Sequence, residues 1–586
     1  MLKQRILYST LLLALSSSLA CGATGEDTSS AKTECSDSTY ATIQQGIFDA
    51  KGCTQSACHG ESMAGNLDLR AGASHGALVH RSSSIDPKLK RVSPGDQERS
   101  LLYLKLEAGV NGSDLGALGQ SMPSGADPLT EDELEAVRLW IRGGAGADGV
   151  VEGTMERLAC DGSFEAEPNK IAPLPPPAPD EGVQLYAGAW PLPAEHEDEV
   201  CFVTYYDVSD RVPEQAKLPC GDFAPGRECF AFRKSELAQD GQSHHSITTV
   251  YTPESDPNGG SWVSWKCLGG EKNGTPCDPT VPKECGERAA CATPPDSKLA
   301  CVDYFFAPAD FSFGSDGFTG ASATRERLIA AQESVFVEDP PSGVYSVLPL
   351  SGFVAWNSHA FNLTKKDTTI EQWVNLTFAM EDERQWARKQ IFASDNLLNM
   401  GVIGPFKKHE VCMTFTLPQF TRLTTLTSHF HKRGELFRMW LPPNDACPST
   451  SGCNVPARDA DYVNRLYDDP FEARYDPPHS LDSADETART IKACAIWDNG
   501  ADDPMEVKRH STRPNSPSCR TTFANCGCSE AVRVCLGGDR QGAPCGGDDD
   551  ACGTDGLCDA CPLLGGVTTD DEMFLPLGSY YVTGSD

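Results

Sequence analysis

Five histidines and one methionine are spaced so that they could hold a redox metal. His429 and His431 stand one residue apart at the end of Leu423-Thr-Thr-Leu-Thr-Ser-His429-Phe430-His431, with a turn residue at Gly434. The Thr- and Leu-rich run favours an extended strand. In a strand, residues i and i+2 share a face, so the two imidazoles would stand side by side. His244-His245 precede this run, His359 lies between, and Met573 follows in Asp571-Glu572-Met573. Imidazole suits copper in either oxidation state, and a thioether selects the cuprous ion. Zinc fits less well, because it rarely takes a thioether and the chain has no His-Glu-x-x-His helix motif. A lone His-x-His means little in a chain of 586 residues with 12 histidines; the set carries the argument.

A second candidate site is Cys53-x4-Cys58-His59, a widened form of the Cys-x-x-Cys-His haem attachment motif. Two thiols would add to the haem vinyl groups and His59 would be the proximal iron ligand. Met122, in Gln120-Ser-Met122-Pro123, is the expected sixth ligand, with His75 and His80 as alternatives. A Cys53–Cys58 disulfide beside a surface histidine is the competing reading. Ile43 and Ile47 share a helical face ahead of the motif, and a helix opens after the Met loop at the capping box Thr130-Glu-Asp-Glu133. Helix, motif, Met-Pro loop and amphipathic helix resemble, in that order, a small class I-type cytochrome c over roughly residues 38–146. The resemblance implies one covalently bound haem c and electron transfer.

The elements that must position these groups follow from composition. Residues 1–20 have a basic start and a short apolar run, a secretory signal. Leu19-Ala20-Cys21 resembles a lipobox, so Cys21 is expected to carry lipid at the outer membrane, on the periplasmic or cell-surface side. A tether (21–37), the cytochrome c-like domain (38–148) and a Pro-rich linker (149–183) follow. From 184 the texture is short β-rich runs broken by Gly, Pro and Asp. The expected fold is a small all-α domain followed by two antiparallel β-sandwich (jelly-roll) domains, 184–385 and 386–586. Each carries a Cys-rich insert, 267–301 and 519–561. The segment Cys267-Leu-Gly-Gly-Glu-Lys-Asn-Gly-Thr-Pro-Cys277 repeats as Cys535-Leu-Gly-Gly-Asp-Arg-Gln-Gly-Ala-Pro-Cys545, and both read as disulfide knots. The 25 cysteines point to an oxidising compartment. A net charge of −34 argues against nucleic-acid binding. His196, His409, His479 and His510 lie in charged or Pro-rich surroundings and are expected at the surface or behind the ligands.

His244-His245 before a strand, His359 near Asn362, the His429/His431 strand, Cys494-Ala-Ile-Trp-Asp-Asn499 and, far downstream, Asp-Glu-Met573 occur in that order. In this they resemble the copper type II, ascorbate-dependent monooxygenases, the peptidylglycine and dopamine hydroxylating family. The resemblance implies two copper ions: an electron-storing one on His244, His245 and His359, and an O2-binding one on His429, His431 and Met573. It implies that the two stand across a cleft between sandwiches and hydroxylate a substrate C–H bond with O2. Electrons would come from the chain's own haem domain or a periplasmic donor. Thr427, Leu575 and Leu577 replace the Arg, Asn and Tyr with which the amidating members hold a peptide carboxylate, so peptide amidation is not expected, and a small or apolar substrate is expected instead. Phe574 replaces a family cysteine, which leaves Cys494 to pair elsewhere or stay free. The alternative is a non-catalytic copper- and haem-binding surface lipoprotein.

Overall fold

The capping box expected at Thr130 forms. Thr130 Oγ1 accepts from the Glu133 amide at 3.1 Å, and Glu133 Oε2 accepts from the Thr130 amide at 2.8 Å. Two of the four orphan donors of the helix Glu131–Arg142 are thereby satisfied. Its apolar stripe, Leu134, Val137, Trp140 and Ile141, packs on Ile43, Ile47 and Phe48 from the first helical turns and on Leu106 from the helix Leu101–Asn111. The computed structural model describes residues 35–160, 166–251, 256–297, 301, 325–392, 400–442, 459–510, 528–566 and 571–584, apart from short breaks within these spans. The signal segment and Cys21 lie outside the described residues. Among those described, no helix is long and apolar enough to cross a membrane.

Two compact units divide the chain, Met1–Glu167 and Pro168–Asp586. The regular elements of the first are helices. It runs past the expected boundary at 148: the short helix Thr154–Arg157 packs on it, and Cys160 is bonded to Cys35.

The second unit is built from antiparallel sheets in two pairs, each pair around its own core. A seven-stranded and a six-stranded sheet share Trp190, Phe202, Phe230, Trp356 and Val374. Trp356 is fully buried, and its indole N–H donates to Thr204 Oγ1 at 2.8 Å, so burial leaves no orphan donor. Two four-stranded sheets share Leu423, Leu426, Phe437, Ile491 and Trp497. Cys494 does pair: its partner is Cys412 on the neighbouring strand, and Phe574 is core, packed edge-on to Trp497.

The Pro-rich stretch is not a free spacer. Its carbonyls at Leu174 and Pro175 accept from Gln184 Nε2 and Asn375 Nδ2, both at 2.8 Å, and Lys170 is paired with buried Asp240. Proline cannot donate to a ladder, so side-chain amides of the sheet bind its carbonyls instead. The repeated inserts share one connectivity, first cysteine to third and second to fourth: Cys267–Cys285 with Cys277–Cys291, and Cys535–Cys552 with Cys545–Cys558.

Candidate functional site: a five-histidine cluster

Three neighbouring strands of the six-stranded sheet set one half of the site. They are His196–Asp207, Ser351–Asn362 and Ser243–Tyr251. His359 is directly opposite Glu199 on one side and His245 on the other, so Glu199, His359 and His245 form one row across the sheet. Opposed residues share a face, and this face is turned away from the core that holds Trp356 and Val354. Consecutive residues of a strand point to opposite faces, so His244 and His245 could not both reach His359 in a regular ladder. The register breaks there: His359 pairs with His245, but Ala360 pairs with Ser243, leaving His244 as an extra residue. This bulge re-aims it. The His244 and His245 ring centroids lie 5.1 and 5.0 Å from that of His359.

The other half is carried by the strand Thr421–His429 and the turn after it. Gly434 closes that turn with its amide on the His431 carbonyl at 2.8 Å. A Cβ at Gly434 would sit 1.9 Å from the Phe430 ring, so only glycine lets Phe430 fill the core between the two histidines. His429 and His431 have ring centroids 5.1 Å apart. Their strand pairs with Leu575–Val582, with His429 opposite Leu575 and Thr427 opposite Leu577. The ladder ends at the His429–Leu575 pair, and two residues before Leu575 lies Met573, itself buried. The two residues before it hold the loop. Glu572 accepts from the amides of His431 (2.8 Å) and Arg433 (2.7 Å) and from the Trp497 indole (2.9 Å). The Asp571 carbonyl lies 3.2 Å from His431 Nδ1, and its carboxylate pairs with Lys508 at 2.5 Å, both side chains being fully buried. Asn499 accepts from the Lys508 amide at 2.8 Å, so the Trp-Asp-Asn segment acts behind the ligands.

The resemblance implies that a cleft separates the halves. They form one cluster instead, with the His245 and His429 rings 6.4 Å apart. Burial, and then the neighbouring His359, His429 and His431, push His245 well below the ordinary imidazole range. Burial alone brings His429 down to about 4. His359 departs the other way. Burial lowers it, but the bond to Glu197 and the charges of Glu199, Glu197 and Asp198 outweigh that and raise it. A metal ion requires deprotonated, convergent imidazoles as ligands. His245 and His429 are held neutral by burial, and His359, beside its carboxylates, would give up its proton to the ion, so this donor set fits copper. Burial lifts the Glu572 carboxyl to about 8 against the pull of its three donors.

Glu197 and Glu199 escaped the sequence reading because Glu195-His-Glu-Asp-Glu199 looks like a solvated acidic run. The signal was their alternation into the apolar strand that follows. Of the other histidines, His196 lies 3.9 Å from Asp198, His510 is within 2.9 Å of Arg533, and His479 packs by Tyr475. His409 is exposed.

In the helical unit, Cys53 is a free thiol that burial pushes up to about 11, so the Cys53–Cys58 disulfide does not form. Cys58 is itself disulfide-bonded. His59 Nδ1 lies 2.8 Å from the Ala64 carbonyl, a contact that sets the ring's orientation. Met122 docks on the helix Leu101–Asn111 through its amide to the Lys105 carbonyl at 2.9 Å, and packs on the same core as Cys53. His75 is taken up by the Ala145 carbonyl at 2.9 Å and by Tyr40 and Trp140, which removes it as a sixth ligand. His80 is exposed.

No family model matches the chain, and no curated protein matches it.

Proposed function

We propose that the second unit is a copper-dependent monooxygenase, built from two jelly-roll β-sandwiches, that hydroxylates a C–H bond of a small apolar substrate with O2. The observation that carries this reading is the convergence of five histidines from both sheet pairs, with the buried Met573 segment locked against one end. Copper bound there would supply one-electron redox chemistry and activation of O2. The chain's own residues do the rest. His429 stays neutral across the physiological range, so no proton competes for its ring nitrogen. Glu572 and the Asp571 carbonyl fix His431. Leu575 and Leu577 stand opposite His429 and Thr427 across the ladder and give that side an apolar wall.

The experiment is oxygen uptake by the copper-loaded full chain with a reductant and a panel of small apolar compounds. Hydroxylated product formed in step with O2 consumed supports the proposal. Copper binding with no product for any reductant leaves the second reading, a non-catalytic copper-binding protein. The observation favouring that reading is the loss of carboxylate contacts at Thr427, Leu575 and Leu577.

For the helical unit we propose a cytochrome c-like module, with haem held by Cys53, Cys58, His59 and Met122. The fixed His59 ring, the free Cys53 thiol and the docked Met122 loop support it. Attachment requires Cys58 as a thiol in place of its disulfide. Covalent haem on mature protein exported with haem-maturation machinery tests this; its absence removes the haem and leaves the copper reading intact.

A further inference from the structure

We propose that Glu199 is a metal ligand of the histidine cluster, so that the ion on the six-stranded sheet is held by a mixed imidazole–carboxylate set and not by three histidines. The inference rests on the copper reading above and deepens it. One donor atom each from Glu199, His245 and His359 lie within 4.8 Å of one another, the spread that a single ion can bridge; His244 is not of that set. The ladder builds this closeness in, because the three residues occupy one rung of adjacent strands. Each supporting contact aims a donor inward. Asn357 Nδ2 donates to Glu199 Oε1 at 2.9 Å and orients the carboxylate. Glu197 Oε1 sits 3.1 Å from His359 Nε2, which turns His359 Nδ1 toward His245 Nε2 at 3.3 Å. Two ring nitrogens facing each other need a proton or a cation between them. Among the described residues, buried His245 Nδ1 has no hydrogen-bond partner, which leaves the ring without a second anchor until an ion holds it at Nε2.

The two halves then differ in kind. A carboxylate is a hard donor that stabilises the divalent ion, whereas Met573 is a soft donor that favours the monovalent one. The Glu199 side is therefore the side of lower reduction potential. The sheet assigns Glu197 a positioning role, since it acts on His359, and His244 a place beside the ion, packed edge-on to Phe361.

The experiment is copper titration of the full chain, read by cupric EPR on wild type, Glu199→Gln, Glu199→Asp and Glu197→Gln. Glu199→Gln is expected to weaken one of two copper sites about 100-fold and to change its EPR signature, with the other site unmoved. Glu199→Asp should recover part of the affinity. A readout that needs no variant is 13C-glutamate labelling of wild type: a 13C coupling to Cu(II) in ENDOR shows the carboxylate on the metal. Two coppers per chain, no 13C coupling and an unchanged Glu199→Gln spectrum overturn the ligand assignment while the copper reading stands. Wild type that takes up no copper overturns both.

Discussion

His359 and His429, one histidine from each half of the cluster, sit in opposite electrostatic settings, while His245 beside His359 is pushed below the ordinary imidazole range by burial. On the six-stranded sheet His359 sits among Glu197, Asp198 and Glu199, and its basicity is raised. On the second sheet pair His429 faces Leu575 across the ladder and titrates at about 4. An imidazole among carboxylates belongs to a polar, cation-seeking site, and one among apolar groups to a site that keeps charge out. Two metals of unlike redox preference need that asymmetry. One protein surface supplies both because each half lies on a different sheet pair, and the halves meet at His245 and His429.

The largest effects should come from removing a ligand on one side only. His359→Ala and His429→Ala should each lower bound copper from about two ions to about one, and His429→Ala should abolish product formation; metal analysis with an oxygen-coupled assay reads both. If either variant loses both ions, the halves are one site and the contrast collapses. Next is the buried pair behind Met573. Asp571→Ala leaves the Lys508 charge buried and uncompensated, at a cost of about 3–5 kcal/mol in urea unfolding of the second unit. The double change of Asp571 and Lys508 to apolar residues should recover much of it.

A smaller effect sharpens the comparison. Glu572→Gln keeps the shape of the His431 anchor but sets an amide NH2 against one of the N–H groups that Glu572 accepts from, so copper on the Met573 side should bind about 10–100-fold more weakly, with the Glu199 side unchanged in the same titration. The smallest is the pH response of copper-free protein. His359 is raised in the fold, so the stability it contributes is full below about 6.5 and is lost as pH rises through its folded value. His429 is lowered, so its contribution is present above about 6.5 and is lost as pH falls toward about 4. Histidine NMR titrations should show the two moving apart from the ordinary value, and equal midpoints would dissolve the electrostatic contrast.

Much of this was legible in the sequence, and the exceptions have physical causes. The alternation around Phe430 placed His429 and His431 side by side, and Asp-Glu-Met573 marked the partner segment. Thr130 and Glu133 announced their helix directly. The bulge at His244 was invisible, because an extra residue in a ladder is a property of the pairing and not of either strand alone. The repeated Gly-Gly-rich inserts announced equal folds, but spacing does not choose among connectivities. The proline run read as a spacer because nothing local reveals that Gln184 and Asn375 will take up its carbonyls. Glu199 was passed over since an acidic residue looks solvated until the strand beside it is known to bring a histidine to its rung.

The most direct test of the central claim is to load the full chain with copper and count the ions by EPR. The account predicts two inequivalent cupric centres per chain, with only the one retained by His359→Ala depending on His429. A single centre, or zinc taken up in preference with cupric ion excluded, would contradict it.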